Sequence, residues 1–189
     1  MRKNTTKTLT TCALLAALSV ILARLIIPMP NEFTRFSIEA VPIFIAGMLY
    51  GPIAGGLVGF AADFVGCLFS GYGYNPIFCV PPIFYGVCAG LFRNLGFFRP
   101  FLQKKYDIWR IALAFLPSIV LGSILYQSAS LAWVYGGGNF MPKFITFLGT
   151  RSVQFAVTFV LDVVIVYLLC KSNIFTTAKL WQPTKKEKK

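Results

Sequence analysis

Apolar residues gather in runs at about 9–27, 37–50, 51–70, 77–95, 108–134 and 143–170, followed by a basic tail at 171–189. Several runs approach the ~20 residues with which a helix crosses a bilayer. The breaks are short and rich in turn formers: PMPNEFTRF at 28–36, Tyr50-Gly51-Pro52, SGYGYNP at 70–76, the loop at 96–106 and YGGGNFMP at 135–142. Such segments cannot continue a helix. The pattern predicts an all-α integral membrane protein, a six-transmembrane-helix bundle in one membrane domain. The run 37–50 is the odd one, since as a helix it covers only about 20 Å. Tilt, loop packing or local thinning must make up the difference.

Small and polar residues inside the runs mark faces. Gly51, Gly55 and Gly59 recur at four-residue spacing, and Asp63 and Gly66 continue the stripe. A carboxyl on a close-packing face must look toward protein or water, because lipid offers it no partner. Pro81-Pro82 is expected to bend or break the next helix, gathering Tyr74, Asn75, Phe78 and Tyr85 around an irregular half. The run 108–134 sets Ser123, Tyr126, Gln127, Ser130 and Trp133 at helical spacings on one face. A lined cavity accounts for that face, while an interfacial aromatic belt accounts for Trp133 well and Gln127 poorly. The last run places Arg151, Gln154, Thr158 and Asp162 in one stripe. In the first run, Ala13 and Ala17, widened by Ala16, would let another helix approach closely, either within the chain or from a partner.

Composition agrees with this class and removes others. The chain has 189 residues, 57% of them hydrophobic and 13% charged, leaving no room for a second soluble module. Its formal charge of +12 would suggest nucleic acid in a soluble protein, but the cations follow the loops. The N-terminal tail holds three, the 93–110 region five and the C-terminal part six, against four (Arg24, Arg35, Lys143, Arg151) toward the opposite face. By the positive-inside rule both termini are cytoplasmic. Lys185, Lys186, Lys188 and Lys189 read as a solvated tail beside membrane lipid. Histidine is absent, and Cys12, Cys67, Cys79, Cys88 and Cys170 lack metal-binding spacing. No metal and no cofactor is expected. The N-terminal segment has the regions of a signal peptide without a clean cleavage site and is read as a retained first helix.

Orientation sets the depth of the charges. Asp63 lies roughly 18 Å along its helix from the cytoplasmic end and Arg151 roughly 12 Å inward from the outer end, at comparable levels. They could form an ion pair that fixes packing, or a partly open pair that binds a polar ligand. Asp162 falls near the inner end and reads as structural or partner-facing. Arg35, Phe36, Tyr74, Asn75, Phe78, Tyr85, Tyr126, Gln127, Trp133, Asn139 and Phe140 would supply aromatic faces and hydrogen-bonding groups for a flat heteroaromatic ligand. No nucleophile elbow, phosphate loop or carboxylate cluster is found, so an enzyme is not expected. A channel is disfavoured because no charged ring or filter motif repeats.

RFSIEAVPIFIAGMLYGPIAGGLVGFAADFVG, continued by GYGYNPIFCVPPIFYGVCAGLF, resembles the signature region of the substrate-binding S components of energy-coupling-factor vitamin transporters, most closely the folate-specific group. The likeness is close over 35–92 and looser elsewhere. It departs from the pattern at Glu39, where a small or apolar residue is expected. The resemblance implies a vitamin pocket opening outward beneath the first loop, in the plasma membrane of a prokaryote. It also implies docking through Ala13 and Ala17 on a transmembrane T component, with two ATPase subunits supplying energy. For folate, it would place the pterin on Phe or Tyr rings, its N–H groups on a carboxylate such as Asp63, and Arg35 and Arg151 on carboxylates or the pterin oxygen. Alternatives are an S component for a queuosine precursor or a pyridoxine-like ring, a membrane-embedded enzyme, or a subunit that only recruits partners.

Overall fold

The computed structural model describes residues 2–24, 27–28, 35–36, 38–69, 74–98, 107–138 and 140–172. Helices dominate it: α1 (Arg2–Arg24), α2 (Ala40–Tyr50), α3 (Pro52–Leu68), α4 (Val80–Asn94), α5 (Ile108–Tyr135) and α6 (Phe140–Lys171). Among the described residues, the one ladder is an antiparallel pairing of two two-residue strands, β1 (Ile27–Pro28) with β2 (Arg35–Phe36), in register Ile27 to Phe36 and Pro28 to Arg35. α1, α5, α6 and the segment Pro76–Asn94 are each long and apolar enough to cross a membrane, whereas α2 and α3 are shorter apolar helices. Large side chains such as Leu14, Leu57, Leu113, Val153 and Leu168 are exposed around the bundle. Apolar surface on that scale is a lipid-facing coat.

α2, α3 and α4 form the densest part. Every α2 residue from Ala40 to Leu49 is buried. The sequence allows this because glycines meet glycines: a Cβ on Gly86 would run into the Gly55 backbone, one on Gly47 or Gly55 into Gly86 O, and one on Gly90 into Pro52. Gly59 meets Pro82 in the same way. Backbones in contact gain dispersion energy that side chains would hold off, the usual basis of small-residue packing in lipid. The stripe expected from Gly51 onward therefore does pack, but it stops short. A Cβ on Gly66 would meet nothing within 4 Å.

The turn between α2 and α3 is closed by Gly51, whose φ of 100° suits glycine and whose N–H donates to Gly47 O at 2.9 Å. Arg93, at the end of α4 and buried, brings Nη1 to within 3.5 Å of where a Gly51 Cβ would stand. Pro81 and Pro82 do not break α4. A single 3-10 turn (Pro76–Cys79), capped by Asn75 Oδ1 accepting from Ile77 N at 3.1 Å, leads directly into it. The prolines sit in its first turn, where a helix has no use for their missing N–H groups.

α5 changes register midway. Ile108–Pro117 is α-helical, Ser118–Tyr126 is π-helical and Gln127–Tyr135 is α-helical again. Pro117 removes one i→i−4 bond at the junction, and the i→i+5 pattern that follows holds more residues per turn. The face expected from Ser123 to Trp133 is consequently split. Ser123 and Ser130 turn inward, while Tyr126 and Trp133 face outward, Trp133 being 78% exposed.

Replacing Gly86 by alanine should lower the melting temperature of the detergent-solubilised protein by several degrees, given overpacking costs of ~1–3 kcal/mol. Gly149→Ala, where a Cβ meets nothing within 4 Å, should leave it unchanged or slightly raised. Equal melting of the two variants would contradict this packing scheme.

Candidate functional site

The polar interior of the bundle is organised around Tyr85 of α4. Its hydroxyl shares a buried hydrogen bond of 2.9 Å with Ser123 Oγ, which the π-helical stretch of α5 turns toward it. Its ring meets Phe115 edge-on with centroids 6.2 Å apart, and Phe115 stacks on Phe44 of α2 at 3.7 Å and 10°. Tyr85 also lies in the electrostatic field of Asp162, Glu39 and Arg151. Tyr85 thus ties α4 to α5, and through Phe115 to α2.

The α6 stripe is buried throughout: Arg151, Gln154, Thr158 and Asp162 all face the interior. Thr158 Oγ1 donates to Gln154 O at 3.0 Å, a satisfied local bond. The Arg151 guanidinium lies 5.7 Å from the centroid of the Phe155 ring. Asp162 stands about 17 Å further along the helix and about 14 Å from its end at Lys171. Glu39, just before α2, lies in the field of Asp162. α2 is short: a helix of 11 residues ends after about 16 Å and leaves its first residues at mid-depth. Ser19 of α1 fixes this point by donating to Glu39 O at 2.8 Å.

Asp63 belongs to a different neighbourhood. It is half-buried, with Oδ2 enclosed and lacking a hydrogen-bond partner among the described residues. The Cys79 thiol is within hydrogen-bonding reach of Asp63 and of Tyr74, and Cys67 is close by. Tyr74 meets Phe64 edge-on at 5.2 Å. Comparable depth does not bring Asp63 and Arg151 together: among the described residues the groups beside Asp63 are Cys79 and Tyr74, and Arg151 is not one of them.

The remaining expected residues scatter. Phe78 is half-buried and Asn75 serves as a cap. Tyr126 is 36% exposed, its carbonyl accepting from Ser130 Oγ at 2.9 Å, and Gln127 is half-buried. Phe140 is partly exposed and stacks on Phe144 at 5.8 Å. Trp133 faces outward, where the aromatic-belt reading of it fits. Arg35 and Phe36 are described in backbone only, and β2 lies against α6. Asn139 lies outside the described residues. Ala13 and Ala17 are exposed on the outer face of α1 beside Leu14 and Leu18, whereas Ala16 packs on the core.

The sequence pattern reveals the α6 stripe, but depth alone assigns Asp162 elsewhere and leaves Glu39 as an irregularity. Phe44 and Phe115 are hidden among ordinary apolar residues. The signal that finds Asp162 is the spacing of 151, 154, 158 and 162, which keeps it on the same inward face as Arg151.

A bundle with a lipid-facing coat and an interior of aromatic rings and hydrogen-bonding groups defines a membrane-embedded solute-binding protein. The chain belongs to the ECF transporter, substrate-specific component family, whose profile matches residues 7–170. It is 25% identical over 171 residues to the folate transporter FolT of Leuconostoc mesenteroides, covering 89% of this chain and 88% of that protein. It is also similar to the crystal structure of FolT bound with folic acid, at 26% identity and a TM-score of 0.69, covering 87% of this chain and 92% of that one.

Removing the Tyr85 hydroxyl (Tyr85→Phe) or the Ser123 hydroxyl (Ser123→Ala) should each destabilise the protein by about 1 kcal/mol. Because both changes delete one shared bond, the double variant should melt close to the singles. Fully additive losses in thermal melts would show that the two groups act independently.

Proposed function

We propose that this chain is the folate-binding subunit of an ATP-driven importer. It captures folate or a related pterin at the outer face of a prokaryotic plasma membrane and releases it inward with its partners. The observation that carries this reading is the likeness, over most of both chains, to FolT bound with folic acid. The interior chemistry supports it. Tyr85 offers an aromatic face backed by the Phe44–Phe115 stack, Arg151 offers a cation for a carboxylate, and Asp162 and Asp63 offer acceptors for ring N–H groups.

In this reading the chain crosses the membrane as a six-helix bundle with both termini cytoplasmic, in keeping with the basic residues at its ends and in the 93–110 region. A transmembrane T component and two ATPase subunits supply the energy. The T component docks on α1, where exposed Ala13 and Ala17 leave a shallow strip between larger residues.

Folic acid at a hundredfold excess over its dissociation constant should stabilise the purified protein by about 2.7 kcal/mol, a melting shift of roughly 5–10 °C. A flat response to folic acid at about 100 µM, with a shift from a queuosine precursor or pyridoxine in the same screen, would replace folate as cargo. Changing Ala13 and Ala17 together to leucine should leave folic acid binding in place and abolish co-purification with the T component and ATPases. Intact assembly in that variant would move the docking surface elsewhere.

A further inference from the structure

The last helix carries a carboxyl group that neither the signature region nor the comparisons assign to a ligand. Asp162 is 0% exposed, and neither Oδ1 nor Oδ2 has a hydrogen-bond partner among the described residues. Buried polar groups nearly always have partners, so a carboxyl with two unused oxygens is open to the donors a ligand would bring. The described residues contain no group of acids and cysteines that could hold a metal there.

The surroundings narrow the kind of donor. Asp162 shares the bundle interior with Tyr85, whose ring meets Phe115 edge-on, with Phe115 stacked on Phe44 in turn. Arg151 lies three turns away on the same inward stripe, at the opposite end from the acids. The stripe thus carries a carboxyl toward one end and a cation toward the other. Two carboxylate oxygens lie side by side, matching two adjacent N–H groups on a planar ring. Asp63 offers a poorer match, with a thiol already beside it and no share in the Tyr85 cluster.

We propose that Asp162, rather than Asp63, reads the ring of the ligand, its two oxygens accepting from the exocyclic amine and adjacent ring N–H of a 2-amino-4-oxopteridine. This rests on the folate reading above. Glu39 adds negative potential at the same end, favouring donors over acceptors there.

The test compares binding of pterin with lumazine, in which oxygen replaces the 2-amino group and so turns a donor into an acceptor. Wild-type protein in detergent should favour pterin by about tenfold or more. Asp162→Asn presents one acceptor and one donor, and should abolish or reverse that preference, while Asp63→Asn keeps it whatever it does to affinity. An Asp162→Asn protein that retains the wild-type preference overturns the assignment and leaves the folate reading standing. Wild-type protein that binds neither compound and no folic acid overturns both. Should Asp162→Asn fail to fold, infrared difference spectra of 13C-aspartate-labelled wild type and Asp63→Asn decide. A carboxyl band that shifts on adding pterin in both proteins supports Asp162, since Asp107 is an exposed partner of Arg110; a band lost in Asp63→Asn assigns the contact to Asp63.

Discussion

The contact between bare backbones at Gly47, Gly55 and Gly86 is the constraint on which the rest of the bundle depends. In lipid, helices gain nothing by hiding apolar side chains from water, so their association rests on close dispersion contacts. Three helices meeting at glycine can approach to the limit of their main chains. That leaves α2 buried on all sides although it is too short to cross a bilayer. Its early end is what drops Glu39 to the level of Asp162.

The interior site is a consequence of the same economy of length. Tyr85 reaches across from α4, Ser123 is turned in by the π-helical part of α5, and α6 contributes a continuous polar stripe. Each element supplies one kind of group: a stacked pair of buried rings from α2 and α5, a bridging hydroxyl from α4, charge from α6. The family's membership in a transport system fits such a site, in which several helices share a ligand and no single loop owns it.

Much of this arrangement is legible in the amino-acid sequence. The glycine stripe, the shortness of the second run and the single polar stripe along the last helix follow from the pattern read directly, whereas spacing alone leaves the alanines of the first open between packing within the chain and a partner. Three features do not follow from it. The π-helical register in α5 cannot be inferred from spacing at 3.6 residues per turn, and it sends Tyr126 and Trp133 outward. Pro81 and Pro82 read as a breaker because a proline pair looks the same at a helix start as in its middle; only the preceding 3-10 turn tells them apart. Asp63 and Arg151 match in depth alone, and depth says nothing about azimuth around the bundle axis. The surroundings of Arg151 and Asp162 are set instead by where α2 begins.

The tight end of the bundle has one more implication. Around the Gly51 turn, Met48, Leu49, Phe98 and Arg93 are buried, and Gly90 rests directly on the Pro52 backbone. Any rearrangement of this end must therefore carry the α2–α3 turn and the last turns of α4 together, as one block.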